Sequence, residues 1–274
     1  MSTSKNRLSL ILQNGLLAIW SIFALFPLIW MMILTFKSDA EMYTTTFVFT
    51  PTLDNYKEVL FNSDYLQYML DSLIVSGGAV LISVLAGVPA AYALARYNFK
   101  KKEDIAFQIL SFKFAPEILV VLPLFMIYQK LGIYDTYFGL IWVYQLISMP
   151  LLIWVVRGYF EDISVEIEYA AQVDGYNWYQ IFFKNLIPLI KPGMVSAALL
   201  AFIFAWNSFT FPLMLAGTKI QPITVAITKY LGTDSAHYGQ LAVAAAISAL
   251  PAIVFAICIQ KHLVRGLSFG AVKG

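Results

Sequence analysis

The sequence is poor in charge. Only 12% of its 274 residues are Asp, Glu, Lys or Arg, about half the share found in a soluble globular domain. A chain of this length with so little charge turns most of its surface to something other than water, and lipid is the solvent that fits. The net charge is +2, so no broad basic field offers itself to nucleic acid. The single cysteine, Cys258, excludes an intrachain disulfide framework and a cysteine-based metal cluster. His237 and His262 fall near opposite ends of one apolar run, too far apart to share a metal. The phosphate-cradling pattern G-x-x-x-x-G-K-[ST] is absent, so the chain does not bring its own ATP loop. Gly266-Leu267-Ser268-Phe269-Gly270 spells a nucleophile elbow, but that motif needs a strand-to-helix turn with a histidine and an acid nearby. Here it follows the last apolar run, and the match is one of letters.

Hydrophobic residues, at 60% of the chain, are abundant. They gather into runs long enough to cross a bilayer, which takes about 20 apolar residues. Six spans are expected, over 8–36, 72–95, 105–128, 136–156, 192–218 and 238–260, within one transmembrane domain covering 1–274. An even number places both termini on one side. The flanks on that side hold Lys5, Arg7, Arg96, Lys100, Lys101, Lys102, Arg157, Lys184, Lys191, Lys261, Arg265 and Lys273, against Lys37, Lys57, Lys130, Lys219 and Lys229 on the other. The positive-inside rule then makes the termini cytoplasmic and the protein a multi-pass component of the cell (inner or plasma) membrane. The first run is longer than a signal-peptide core and lacks an A-x-A site, so it reads as an uncleaved anchor.

Two connections are long. The outer one, 37–71, is acidic and carries Leu53, Tyr56, Val59 and Leu60 at helical spacing, which predicts a short interfacial helix. The cytoplasmic one, 157–191, is too polar to span. Within it Ser164 is placed to cap a helix with an acidic first turn. Ala170 and Ala171 give that helix a small face, and Gly175 is placed to end it in a left-handed conformation. A second helical stretch, 178–187, is expected to end at Pro188, with Pro192 opening the next span.

This loop resembles the E-A-A-x3-G-x9-I-x-L-P signature of the permease subunits of ABC importers. Tyr169-Ala170-Ala171, Gly175 and Pro188 hold the required spacing. Tyr169 stands where the signature has Glu, with Glu168 one place earlier, and Asn185 and Ile187 replace the residues before the proline. Three further stretches are similar to the carbohydrate-uptake branch of the family, and in length of outer loop to its smaller maltose-type subunit. They are Thr52-Leu53-Asp54-Asn55-Tyr56, Trp206-Asn207-Ser208-Phe209, and the tail Val264-Arg265-Gly266-Leu267 to Gly270-Ala271-Val272-Lys273-Gly274.

The resemblance implies an all-α membrane protein with the type I importer permease fold and a cytoplasmic coupling helix. It implies a transport subunit, not an enzyme, that moves a carbohydrate such as an oligosaccharide. Its partners would be a second, related permease subunit in a heterodimer, two copies of a cytoplasmic ATPase carrying ATP and Mg, and an extracytoplasmic solute-binding protein, with membrane lipid around it. Glu168, Tyr169, Ala170, Ala171, Asp174, Gly175 and Pro188 would couple to the ATPase, joined by the tail residues Gly270, Val272, Lys273 and Gly274.

Trp206, Asn207 and Ser208 in the fifth span, with Tyr144 and Gln145 in the fourth, combine flat aromatic faces with amide and hydroxyl groups, the chemistry a sugar takes. The same residue types also hold helices together in membranes. Lys113 and Glu117, the charges inside a span, sit four apart and are expected to neutralise one another on one helix face. An ion-coupled secondary carrier is the competing class, but carriers show repeats and buried ionisable groups at mid-membrane, and it leaves the cytoplasmic helix without a task. A polyol or glycerol phosphate is the competing cargo.

Overall fold

A computed structural model describes residues 2–232 and 237–270, with side chains at 10, 12–232 and 237–258. Among the described residues the regular structure is helical. In chain order the helices are α1 (Ser2–Leu34), α2 (Asp54–Phe61), α3 (Tyr65–Arg96), α4 (Lys102–Ser111), α5 (Glu117–Leu131), α6 (Tyr137–Val143), α7 (Gln145–Asp162) and α8 (Glu166–Val173). They continue with α9 (Trp178–Trp206), α10 (Thr210–Leu215), α11 (Ile223–Ala226) and α12 (Tyr238–Gly270). Four of them are long and apolar enough to cross a membrane: Leu12–Leu34 of α1, then α3, α9 and the Tyr238–Cys258 part of α12. Two bent pairs, α4 with α5 and α6 with α7, bring the number to six when each pair is one span.

The bends have local causes. Ala115 and Pro116 are both extended, with ψ of 127° and 118°, as the residue before a proline prefers. Two extended residues end one helix and start another, and the axis turns by 91°. Pro123, by contrast, sits inside α5 without ending it. The α6–α7 bend of 43° falls at Tyr144.

The fifth span is displaced from its expected bounds. It begins at Trp178 and ends at Trp206, so 207–218 lies beyond it and Pro188 and Pro192 lie inside it. Asn177 and Gln180 close a reciprocal capping box at its start. A wide π turn, Ile181–Leu186, then ends one residue short of Pro188. Such a turn shifts the carbonyl register, which lets the helix pass a residue with no N–H. At the far end the Asn207 amide donates to Ile203 O at 2.8 Å and the helix stops. The loop before it shrinks accordingly, because α7 runs on to Asp162.

The chain divides into two compact units. The first comprises residues up to Tyr65 together with Ile227–Ser248. The expected interfacial helix is present there as α2. Its Asn55 amide donates to Thr35 O (3.2 Å) and Lys37 O (2.8 Å), satisfying carbonyls left open where α1 ends, and Tyr56 OH donates to Thr35 Oγ1 at 3.0 Å. Lys37 is fully buried, donates to Thr44 O at 2.7 Å and lies over the rings of Trp30 and Phe49.

The second unit, Leu66–Ala226 with the chain from Ala249 on, has two apolar cores. One gathers Val88, Ala91, Tyr92, Leu152, Val156, Phe160, Ala171, Phe182 and Leu186 at the end that carries α8. The other gathers Val75, Val121, Tyr128, Val143, Tyr144, Ala205 and Phe211 towards the opposite end. Close approach between α7 and α9 depends on Gly193, where a Cβ would stand 2.5 Å from Tyr159 Cγ.

Candidate docking helix and pathway residues

α8 is an eight-residue helix whose N-cap is Val165, without a side-chain cap bond, and not the expected Ser164. Ser164 Oγ accepts the Glu166 N–H at 3.4 Å near its start. At its end Gly175 takes φ +85°, Gly175 N–H donates to Gln172 O and Tyr176 N–H donates to Ala171 O, both at 3.0 Å. That pair of bonds around a left-handed residue is a Schellman motif, and glycine adopts the conformation without a Cβ penalty.

The two faces of α8 differ. The inner face holds Ala171, packed in the core with Ile181 and Phe182, and Glu168, which is 7% exposed. Glu168 Oε1 is bound by Arg96 Nε and its Oε2 accepts from Tyr92 OH at 2.8 Å. Arg96 Nη2 reaches on to Ile163 O at 2.8 Å, pinning the chain just before the helix. Tyr92 itself sits among the rings of Phe160, Trp178 and Phe182. The outer face is open and mixed: Tyr169 is 60% exposed and Val173, one turn on, is 88% exposed, with Glu166, Ala170 and Gln172 exposed beside them. Tyr179 and Phe183 at the start of α9 are also exposed. Ala170, Asp174 and Gly175 are exposed with them, whereas Pro188 lies on α9, outside the loop. Of the tail residues, Gly270 is the last residue of α12, and Val272, Lys273 and Gly274 lie outside the described residues.

A second ion pair braces the same end. Arg157, mostly buried on α7, donates to Glu103 at the start of α4 (2.5 Å) and to Glu161 (2.7 Å). Neither Tyr92 and Arg96 nor this pair was expected from the sequence. The only signal for them was a tyrosine and an arginine one turn apart where the second span ends.

The expected pathway residues separate into two groups. Tyr144, Trp206 and Ser208 are buried. Gln145 accepts from Ser83 Oγ (2.8 Å) and donates to Ala79 O (3.1 Å) and Ile141 O (3.0 Å), so it ties α3 to the α6–α7 bend. Asn207 is exposed, with Phe204 and Phe209 exposed beside it in sequence. The expected Lys113–Glu117 pair does not form. The break at Pro116 lies between them and takes them off a common helix face. Lys113 Nζ lies instead over the Phe204 ring, 3.7 Å from its centroid.

At the opposite end two aspartates organise loops. Asp71 is buried and accepts from Gln67 Nε2 (2.9 Å), Tyr137 OH (2.7 Å) and Gln221 N (2.8 Å). Asp135 has a left-handed backbone, φ +55°. It accepts the N–H groups of Gly217, Lys219 and Ile220 at 2.8–3.1 Å. Burial pushes its pKa up, but these backbone donors outweigh burial and hold it below the ordinary carboxylate value.

A helical membrane protein with a short, largely exposed helix at one end is the class that this geometry defines. The profile of the family described as "Binding-protein-dependent transport system inner membrane component" matches residues 83–269. The chain belongs to that family, a family of transport subunits. It is 35% identical to the trehalose transport system permease protein SugB of Mycobacterium tuberculosis, over 92% of this chain and 93% of the relative. It is 32% identical to the trehalose/maltose transport system permease protein MalG of Thermococcus litoralis, over 93% of each. A chain of a crystallised bacterial ABC transporter involved in import of the acidic polysaccharide alginate superposes with TM-score 0.80 at 25% identity, covering 95% of this chain and 98% of that one. The fold is that of a type I ABC importer permease.

Proposed function

We propose that this chain is a membrane-spanning half of an ATP-driven importer for a carbohydrate, with α8 as the helix that docks on a separate ATPase. The observation that carries the reading is the asymmetry of α8. Its inner face is locked to α3 by Glu168 while Tyr169 and Val173 stand open on the other. A two-turn helix that presents large apolar side chains outside the bilayer is a protein contact surface. Tyr169, Ala170, Asp174 and Gly175 lie on the docking side; Glu168 and Ala171 hold the helix in place. The ATPase supplies ATP and Mg, and Gly270, Val272, Lys273 and Gly274 of the tail are proposed as further contacts to it. Both termini and α8 are cytoplasmic, as the Lys and Arg distribution asks. The names of the relatives support a sugar cargo, delivered by a solute-binding protein and passed through a pathway shared with a second permease subunit. Asn207 is the residue of this chain best placed to meet it.

The test is co-purification of the ATPase subunit with the detergent-solubilised permease pair. Gly175→Arg puts a large side chain at φ +85° in the turn that shapes the docking end, which costs about 1–2 kcal/mol in that turn. The variant is expected to insert normally and lose the ATPase. Retention of the ATPase together with wild-type ATP hydrolysis would refute the docking assignment.

A further inference from the structure

We propose that Glu168, Arg96 and Tyr92 form the mechanical link that carries movement of α8 into α3. The inference rests on α8 being the ATPase-docking helix. α8 has two kinds of attachment to the rest of its unit. Ala171 packs against Ile181 and Phe182 of α9, the helix that follows it in the chain. Glu168 reaches α3, 72 residues earlier. An apolar contact resists separation but lets two helices slide, because dispersion has little directionality. A carboxylate with one oxygen on a guanidinium and the other on a phenol fixes both distance and direction. The Arg96 and Glu168 side chains are 10% and 9% exposed, so water does not compete for them. The second arm of Arg96, to Ile163 O, ties the entry to α8 to the same guanidinium.

A buried ion pair is weak evidence for stability, since desolvation offsets most of its attraction. Its use here is positional. α3 contributes to both apolar cores of its unit, through Val88, Ala91 and Tyr92 at one end and Val75 and Ala79 at the other. α3 is one continuous helix with Pro89 inside it, so a push on α8 that turns the last turn of α3 is passed along the span. Glu168, Arg96 and Tyr92 are positioning residues in this scheme; they touch neither ATP nor cargo.

The experiment uses the assembled importer in lipid nanodiscs and reads amide hydrogen exchange with and without Mg-ATP. In the wild type, ATP is expected to change exchange at least threefold in both α8 (166–173) and the end of α3 (93–97). Glu168→Gln keeps the shape and removes the charge. It is expected to retain the ATPase and the response in α8, and to lose the response in 93–97 while exchange there without ATP stays within twofold of wild type. Arg96→Glu combined with Glu168→Arg restores the pair in reverse and is expected to restore the response. An unchanged 93–97 response in Glu168→Gln overturns the link while leaving the docking assignment standing. A wild type in which α8 itself does not respond to ATP, with Gly175→Arg retaining the ATPase, overturns the docking assignment and the link with it.

Discussion

Gly193 offers the sharpest test of how the second unit is packed. It lies on α9 where that helix crosses α7, and a Cβ there would fall 2.5 Å from Tyr159 Cγ. Carbon atoms rest about 3.5–4.0 Å apart, so Gly193→Ala must displace the Tyr159 ring or the helix by about 1–1.5 Å. Tyr159 is partly exposed, which lets the ring swing outward, but it then leaves its contact with α9. Overpacking of this kind costs about 1–3 kcal/mol. Gly77 on α3 is the control, because nothing lies within 4 Å of its would-be Cβ. Gly77→Ala gains about 0.5–1 kcal/mol from helix propensity alone. The two substitutions should therefore shift stability in opposite directions from wild type and differ by about 1.5–4 kcal/mol. The assay is SDS titration of the chain in mixed micelles, following loss of helical signal and tryptophan emission. Equal unfolding midpoints for the two variants would refute the close α7–α9 crossing.

Asp135 supplies a pH dependence with a fixed sign. Its folded pKa is depressed, so the stabilisation of the 217–220 loop is complete above the unfolded value of 3.8 and is lost as pH falls through the lower, folded value. Amide protection at Gly217, Lys219 and Ile220 should hold down to about pH 4 and fall below it, and Asp135→Asn should abolish that step; a midpoint above pH 4 contradicts the assignment. Gln145→Ala strands the buried Ser83 hydroxyl and should destabilise by about 1–3 kcal/mol. Asn207→Ala, at an exposed site, should change stability by less than about 0.5 kcal/mol and weaken half-saturation of sugar uptake in proteoliposomes. If Asn207→Ala leaves uptake untouched, the residue does not face the cargo.

The spans were legible because lipid imposes a long apolar run on any helix that crosses it, and no alternative backbone satisfies its own hydrogen bonds there. The end of α8 was legible for a local reason: a glycine after two alanines and a valine needs no tertiary information to stop a helix. Prolines were harder. Pro116 breaks its span by 91°, Pro123 leaves α5 intact, and Pro188 and Pro192 ride inside α9. What separates them is the backbone before each one. Ala115 is extended ahead of Pro116, whereas a π turn ends just before Pro188. Neither state is written in the identity of the proline. Burial is no more legible from residue type: Tyr144, Trp206 and Ser208 carry aromatic and polar groups and are buried, whereas Asn207 beside them is exposed.

Charge pairing shows why. The i, i+4 rule joined Lys113 to Glu117, but the rule presumes one continuous helix, and the break at Pro116 removes that premise. Local pairs do form where the helix is continuous, Arg157 with Glu161 and Lys57 with Asp54, but the two that join separate elements span 72 residues (Arg96 with Glu168) and 54 residues (Arg157 with Glu103). Both place an arginine from one long helix against a carboxylate on another element. In a chain with 12% charge, a buried arginine has few candidate partners. A wrong pairing leaves it unpaired, a state that costs several kcal/mol. These pairs therefore discriminate between arrangements of the helices more than they stabilise any one of them. Arg157 braces α4 against α7, and Arg96 holds α8 to α3. Replacing either pair by apolar residues of equal volume should leave the helices folded and weaken the definition of their mutual position, which is the property a coupling helix depends on.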